Sequence, residues 1–173
     1  MKIFTIIGAI ALLITGYFCI LLFLTLYYTK DATYLIPENY QGPLMLIEDY
    51  DAKDSVEVKD NEFVFDFRKA LVFNKSLVLR QRGLFIEGSF YKKYYYTDSL
   101  GNKTRIPDYP DPDEVKIDSN QVYVYSSITG RNANKKPYGV YNTSLIATPK
   151  NRERYPWWMT DLADSLFTGR TCR

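Results

Sequence analysis

The serine and lysine of Ser89-Phe90-Tyr91-Lys92 stand at the spacing that some acyl-enzyme formers use for nucleophile and base. That chemistry puts both side chains on one helical face. The residues around this pair are strand-like, and positions three apart on a strand point to opposite faces. Asp108, Asp111, Asp113, Glu114 and Asp118 could gather oxygen ligands around calcium. A calcium loop needs carboxylates converging on one point, with glycine at the tight bend, and this stretch carries Pro107, Pro110 and Pro112 instead. Its default reading is a solvated acidic loop. Tyr91, Tyr94, Tyr95 and Tyr96 beside Lys92 and Lys93 could stack on sugars or bases, and they form the candidate ligand or partner surface. A β-strand with tyrosines on both faces explains the same residues.

The rest of the inventory narrows the chemistry. The chain has no histidine and two cysteines, which excludes a His-based triad, a classical zinc finger and a disulfide scaffold. No spacing of acidic residues predicts a catalytic pair, so no catalytic residue, metal ligand or cofactor is assigned. A hydrolase or transferase working through carboxylates or tyrosines stands as an alternative, because catalysis without histidine exists. Cys172 could bridge two chains or stay free. The basic and acidic residues nearly balance, 22 against 20, so there is no field to attract nucleic acid.

These residues need elements to hold them. A chain of 173 residues, 46% hydrophobic, can bury one core. Ile3 to Thr29 contains no charged residue. At about 1.5 Å per residue such a run makes a helix of roughly 40 Å, against a hydrocarbon core of roughly 30 Å. Tyr27 and Tyr28 stand where an aromatic belt would place them, and Lys30 and Asp31 close the run. Residues 1–30 therefore read as a transmembrane anchor in contact with lipid, and 31–173 as one β-rich domain. A cleaved signal peptide is the competing reading, disfavoured by the length of the run and the lack of a small-residue cleavage site. Lipidation would use Cys19, but Tyr17 and Phe18 precede it where small residues are wanted. Lys2 against Lys30 and the acidic residues behind it favours a domain outside the cytoplasm.

Strand signals fill the domain. Leu44 to Ile47 reads as a strand buried on both faces. In Glu62 to Arg68 the chain alternates, with Phe63, Phe65 and Phe67 on one face. Leu77–Leu79 and Leu84–Ile86 flank a plausible hairpin turn at Gln81-Arg82-Gly83. Tyr94–Thr97, Gln121–Tyr125, Val140-Tyr141 and Leu145-Ile146 supply further strands, and Ile106 to Asp118 reads as a loop. Pro156, Trp158, Leu162 and Leu166 predict a short C-terminal helix stopped at Gly169, with Trp158 against the sheet or at a bilayer interface. The expected fold is mainly β, an antiparallel sandwich or partly open barrel.

The segment Tyr34 to Gly42 reads as an extended stretch, a turn and a strand. Pro37 keeps Ile36 extended, Asn39 tolerates a left-handed conformation, and Gly42, after Tyr40 and Gln41, permits close backbone approach before the first strand. This segment resembles the opening of an uncharacterised family of small bacterial envelope proteins, a hydrophobic-Ile-Pro-x-Gly-Tyr-x-Gly signature in which Asn39 replaces the usual glycine. Tyr94-Tyr95-Tyr96 and Phe167-Thr168-Gly169 are similar to that family's tyrosine-rich strand and terminal motif. The resemblance implies a β-rich envelope domain and transfers no activity. The function expected is a membrane-anchored, non-enzymatic binding or structural module whose partner is an envelope protein or glycan, with a ligand-binding barrel or a histidine-free hydrolase as alternatives.

Overall fold

In a computed structural model the chain is described at residues 12–21, 30–49, 51–83, 89–111, 113, 115–132, 139–156, 158, 162–163 and 166. Two five-stranded sheets face each other. Their strands are β1 (Lys30–Pro37), β2 (Gly42–Glu48), β3 (Glu57–Lys59), β4 (Glu62–Asp66), β5 (Leu71–Phe73), β6 (Ser76–Gln81), β7 (Ser89–Thr97), β8 (Lys103–Ile106), β9 (Tyr123–Asn132) and β10 (Gly139–Ala147). The first sheet runs β3-β4-β1-β7-β8 and the second β5-β6-β2-β10-β9.

Both sheets are mixed, which corrects the antiparallel expectation. β1 pairs in parallel with β4 and β7, and β2 pairs in parallel with β6. The cause is the turn at residues 38–41. It carries the chain from the centre of one sheet to the centre of the other, so β1 and β2 are not a hairpin. Each central strand then takes partners from farther along the chain. The sheets do not close into a barrel.

The turn is built as its sequence suggests. Asn39 has φ 62° and Tyr40 N–H donates to the Pro37 carbonyl at 3.2 Å. Gly42 has φ 151°, and a Cβ there would lie 2.6 Å from the Tyr40 hydroxyl and 3.1 Å from the Lys75 carbonyl oxygen. That hydroxyl donates to the Pro43 carbonyl at 2.7 Å, so it cannot swing aside without losing a bond. Gly42→Ala is expected to destabilise the protein by about 2 kcal/mol in urea unfolding. Gly101→Ala, at φ 88° with nothing within 4 Å, carries only the conformational part and should lose less. Equal losses would contradict the steric account.

One core lies between the sheets. Ala32, Tyr34, Ile36, Phe65, Tyr94 and Ile106 face Leu44, Leu46, Leu77, Leu79, Val124 and Ile146. Tyr34 stacks on Tyr94 at 4.5 Å and lies 5.1 Å from Phe65. Phe65 and Phe67 are fully buried and Phe63 packs partly against them, as the alternation predicts. Among the described residues these aromatic and aliphatic side chains pack between two separate sheets, not inside the closed barrel that the ligand-binding alternative expects.

The outer face of the second sheet is covered. Leu162, Ala163 and Leu166 are helical, and Leu162 and Ala163 pack with Met45, Ile47 and Val78. Trp158 packs with Tyr123, Tyr125, Leu145 and Ala147. Trp158 is thus placed on the sheet, while Trp157, Phe167-Thr168-Gly169 and Cys172 fall outside the described residues. Before this layer comes a short helix missed in the sequence, Pro149–Arg152, capped by the Thr148 hydroxyl accepting from Asn151 N–H.

Other expectations shift in detail. Val140-Tyr141 and Leu145-Ile146 form one strand, β10. The hairpin partner of β6 is β5, joined through Asn74 and Lys75, both at positive φ. The predicted strand Leu84–Ile86 lies outside the described residues. Of the predicted anchor, residues 12–21 are described and helical, with Leu12, Leu13, Ile14, Phe18 and Ile20 exposed. At about 1.5 Å per residue they span roughly half of the hydrocarbon core. Among the described residues no helix is long and apolar enough to cross a membrane, so they do not show the predicted transmembrane helix.

Candidate functional site

The tyrosine–lysine cluster lies on β7, and the strand's two-residue period divides it. Tyr94 and Tyr96 point into the sandwich. Tyr94 is 2% exposed and shares a 2.9 Å hydrogen bond with the Ser144 hydroxyl of the opposite sheet. The Tyr96 hydroxyl donates to the Tyr40 carbonyl at 2.7 Å, tying β7 to the turn between the sheets. Both are structural tyrosines. Burial pushes the Tyr96 phenol up to about 12 and the Tyr94 phenol higher still. The cluster is therefore not one surface.

Tyr91, Lys93 and Tyr95 share the outer face. Tyr91 is 69% exposed. Arg105 lies over the Tyr95 ring at 5.4 Å. Lys93 donates to Glu62 at 2.5 Å and to Asp31 at 2.9 Å, and Thr33 donates to the other Glu62 oxygen at 2.7 Å. This network spans β7, β1 and β4. Lys93 holds the Glu62 carboxyl below its ordinary range, with Thr33 adding to the effect. Among the described residues no hydrophobic cluster packs on this face.

Lys92 is half-buried on the inner side, and desolvation pulls its ammonium down to about 8. The sign of the consequence follows from linkage. Between about pH 8 and 10 the unfolded chain binds a proton that the folded chain has released, so stability rises with pH. Above about pH 10 the buried phenols reverse the slope, because the unfolded chain ionises them first. The urea midpoint is expected to climb from pH 8 to about 10. Lys92→Met should remove that climb, and an unchanged climb in the variant would refute the assignment.

The remaining candidates do not assemble. Ser89 and Lys92 stand three apart on the extended strand β7, across a shift in its register with β1, and not on the helical face that the acyl-enzyme spacing needs. In the acidic loop Asp108 pairs with Arg105 at 3.8 Å, while Asp111 and Asp118 accept from Asp113 and Asn120 N–H groups. Among the described residues no three carboxylate or cysteine groups are placed to hold a metal ion. A concave polar cleft does lie at the β3/β5 edge, and the carboxylate alternative would need one. Its serine is not primed for attack: the Ser55 hydroxyl accepts from Arg82 at 3.2 Å, and a guanidinium is no base.

Ile36, Pro37, Asn39, Tyr40 and Gly42 form a second grouping, legible in sequence and now seen as the crossing between sheets. The Gln41 carbonyl also accepts from the Tyr155 hydroxyl at 3.3 Å, and its side chain from Asn151 at 2.8 Å. The crossing thereby holds the C-terminal layer as well.

No curated protein matches the chain. A solved structure described as a "putative lipoprotein from Bacillus anthracis" is similar at 18% identity, covering 69% of this chain and 71% of that one, with a TM-score of 0.44. A family of unknown function, DUF6843, matches residues 28–153, and the chain belongs to that family.

Proposed function

We propose that the protein is a non-enzymatic binding module of the cell envelope, held at the membrane by residues 1–30 and presenting residues 31–173 outside the cytoplasm. The single observation behind this reading is the asymmetry of the sandwich. The chain's own C-terminal segment covers the outer face of the second sheet. The outer face of the first sheet carries Tyr91, Tyr95 and Arg105, residue types enriched at contact surfaces. The partner is an envelope protein or a glycan. The Ile36–Gly42 motif acts as the structural crossing of the module, not as its contact surface. The uncharged run from Ile3 to Thr29 supports the anchor.

The test replaces Tyr91 with a photo-crosslinking residue in the full-length chain in cells, with Lys150 on the short helix after β10 as the control position. An adduct of discrete mass at position 91 and none at 150 is expected. Equal labelling, or none at position 91, overturns the contact assignment. Protease treatment of intact cells, with the C-terminus tagged, tests the sidedness: a protected domain places the module on the wrong side.

A further inference from the structure

The outer face of the first sheet is uneven in charge. On its β1/β4 half, Lys93 bridges Asp31 and Glu62. On its β7/β8 half the cations are in excess. Arg105 pairs across with Tyr95 and Lys103 with Thr97, so strand alternation puts both cations on the face that carries Tyr95 and Lys93. They stand two residues apart, about 7 Å along the strand. Lys103 is exposed and enters no ion pair among the described residues. The carboxylates nearby do not neutralise the two. Asp98 turns both oxygens into its own loop, accepting from the Leu100 and Asn102 N–H groups and from the Asn102 amide at 2.8–2.9 Å. Asp108 reaches Arg105 at 3.8 Å, longer than a hydrogen bond, and is 67% exposed.

A second feature is independent of the net charge. The Arg105 guanidinium lies over the Tyr95 ring at 5.4 Å, within cation–π reach, which restrains the group and leaves its N–H fork to a ligand. Such a fork matches a carboxylate through two parallel hydrogen bonds. The apolar surface on offer is aromatic. Among the described residues Tyr91 is the exposed large apolar side chain of this face, because Val58 pairs with the inward Phe63, Leu71 and Val72 belong to the other sheet, and Leu100 and Val115 stand on loops. A protein partner would want an apolar patch to bury at the centre of the contact. A sugar ring needs one aromatic platform for its C–H face, with polar groups around it.

We propose that the β7/β8 half of this face binds an acidic glycan. Arg105 and Lys103 take the carboxylates of its sugar units, and a sugar ring lies against Tyr91. The inference rests on the β7 face being the contact surface of the module, and it names the partner of that surface.

The experiment is calorimetric titration of the full-length protein in non-ionic detergent at low ionic strength. The probes are trigalacturonic acid, the neutral maltotriose, and an acetylated and amidated Glu-Glu dipeptide. Saturable heat is expected with trigalacturonate, and none with the other two over the same concentrations. Arg105→Gln should weaken binding by about tenfold, the loss expected for one charge-assisted contact. Arg105→Lys keeps the charge without the fork and should recover part of that loss. Tyr91→Ala should weaken binding roughly fivefold. Lys150→Ala, on the short helix after β10, should leave it unchanged. No saturation by trigalacturonate, maltotriose binding as tightly, or trigalacturonate binding that neither Arg105→Gln nor Tyr91→Ala weakens overturns the proposal. A dipeptide that binds as tightly also overturns it and makes the partner an acidic protein segment. Crosslinking at position 91 reads the face itself. A protease-sensitive adduct there without trigalacturonate binding keeps the contact surface and removes the glycan, whereas neither adduct nor binding removes both.

Discussion

Phe65→Ala is expected to destabilise the protein by about 3–5 kcal/mol, lowering the melting temperature by roughly 10 °C. Phe65 is fully buried at the centre of the core. Its ring meets Tyr34 at 5.1 Å and Phe63 at 6.3 Å, so truncation opens a void beneath two stacked tyrosines. Those tyrosines cannot fill it cheaply. The Tyr94 hydroxyl is tied to Ser144, and its ring is stacked on Tyr34. Phe65→Leu keeps most of the volume and should lose less than about 1.5 kcal/mol. Val58→Ala, at a side chain 48% exposed on the edge strand β3, should stay within about 0.5 kcal/mol. Urea unfolding of the four proteins measures this order. A Phe65→Ala variant as stable as Val58→Ala would mean the sandwich is not packed around this ring.

The phenylalanine stripe shows why part of the fold was legible. Burial on one sheet face imposes a period of two, and Phe63, Phe65 and Phe67 display it without help from the rest of the chain. The same holds for Leu44 to Ile47, buried on both faces, and for the turn, where Asn39 and Gly42 announce their backbone needs. Strand direction carries no such local mark. Nothing in the side chains of β1 and β4 says that Ala32 pairs with Phe63 in parallel. Short edge strands were hidden for a related reason: β3 and β5 have three residues each and expose Val58, Leu71 and Val72, so no buried stripe marks them.

The candidate surface was half legible by the same rule. A run of tyrosines on a strand must split, and Tyr94 and Tyr96 went to the core while Tyr91 and Tyr95 stayed outside. The cleft at the β3/β5 edge was not legible. Of its lining residues, Asp54 and Glu57 are close in sequence, but Gln81 lies 24 residues beyond Glu57. They meet because β6 pairs in parallel with β2 and the chain beyond β2 returns across the edge to reach β3. A cleft made by topology leaves no spacing to read.

Trp158→Ala tests the third layer, with an expected loss of about 3–5 kcal/mol. The ring is 4% exposed against Tyr123, Tyr125, Leu145 and Ala147. Its backbone N–H donates to the Tyr155 carbonyl at 3.2 Å, and the Tyr155 hydroxyl reaches back to Gln41. Removing the ring therefore uncovers apolar surface on the second sheet and loosens the segment that the crossing turn holds. Leu162→Ala, at a fully buried side chain in the neighbouring cluster, should lose about 2–5 kcal/mol by the same mechanism. Lys150→Ala, exposed on the short helix before this layer, should stay within about 0.5 kcal/mol. A tryptophan at a bilayer interface behaves differently: its loss would weaken membrane association and leave the unfolding midpoint alone. Destabilisation by both core substitutions, with membrane association unchanged, is the result that the packed layer requires.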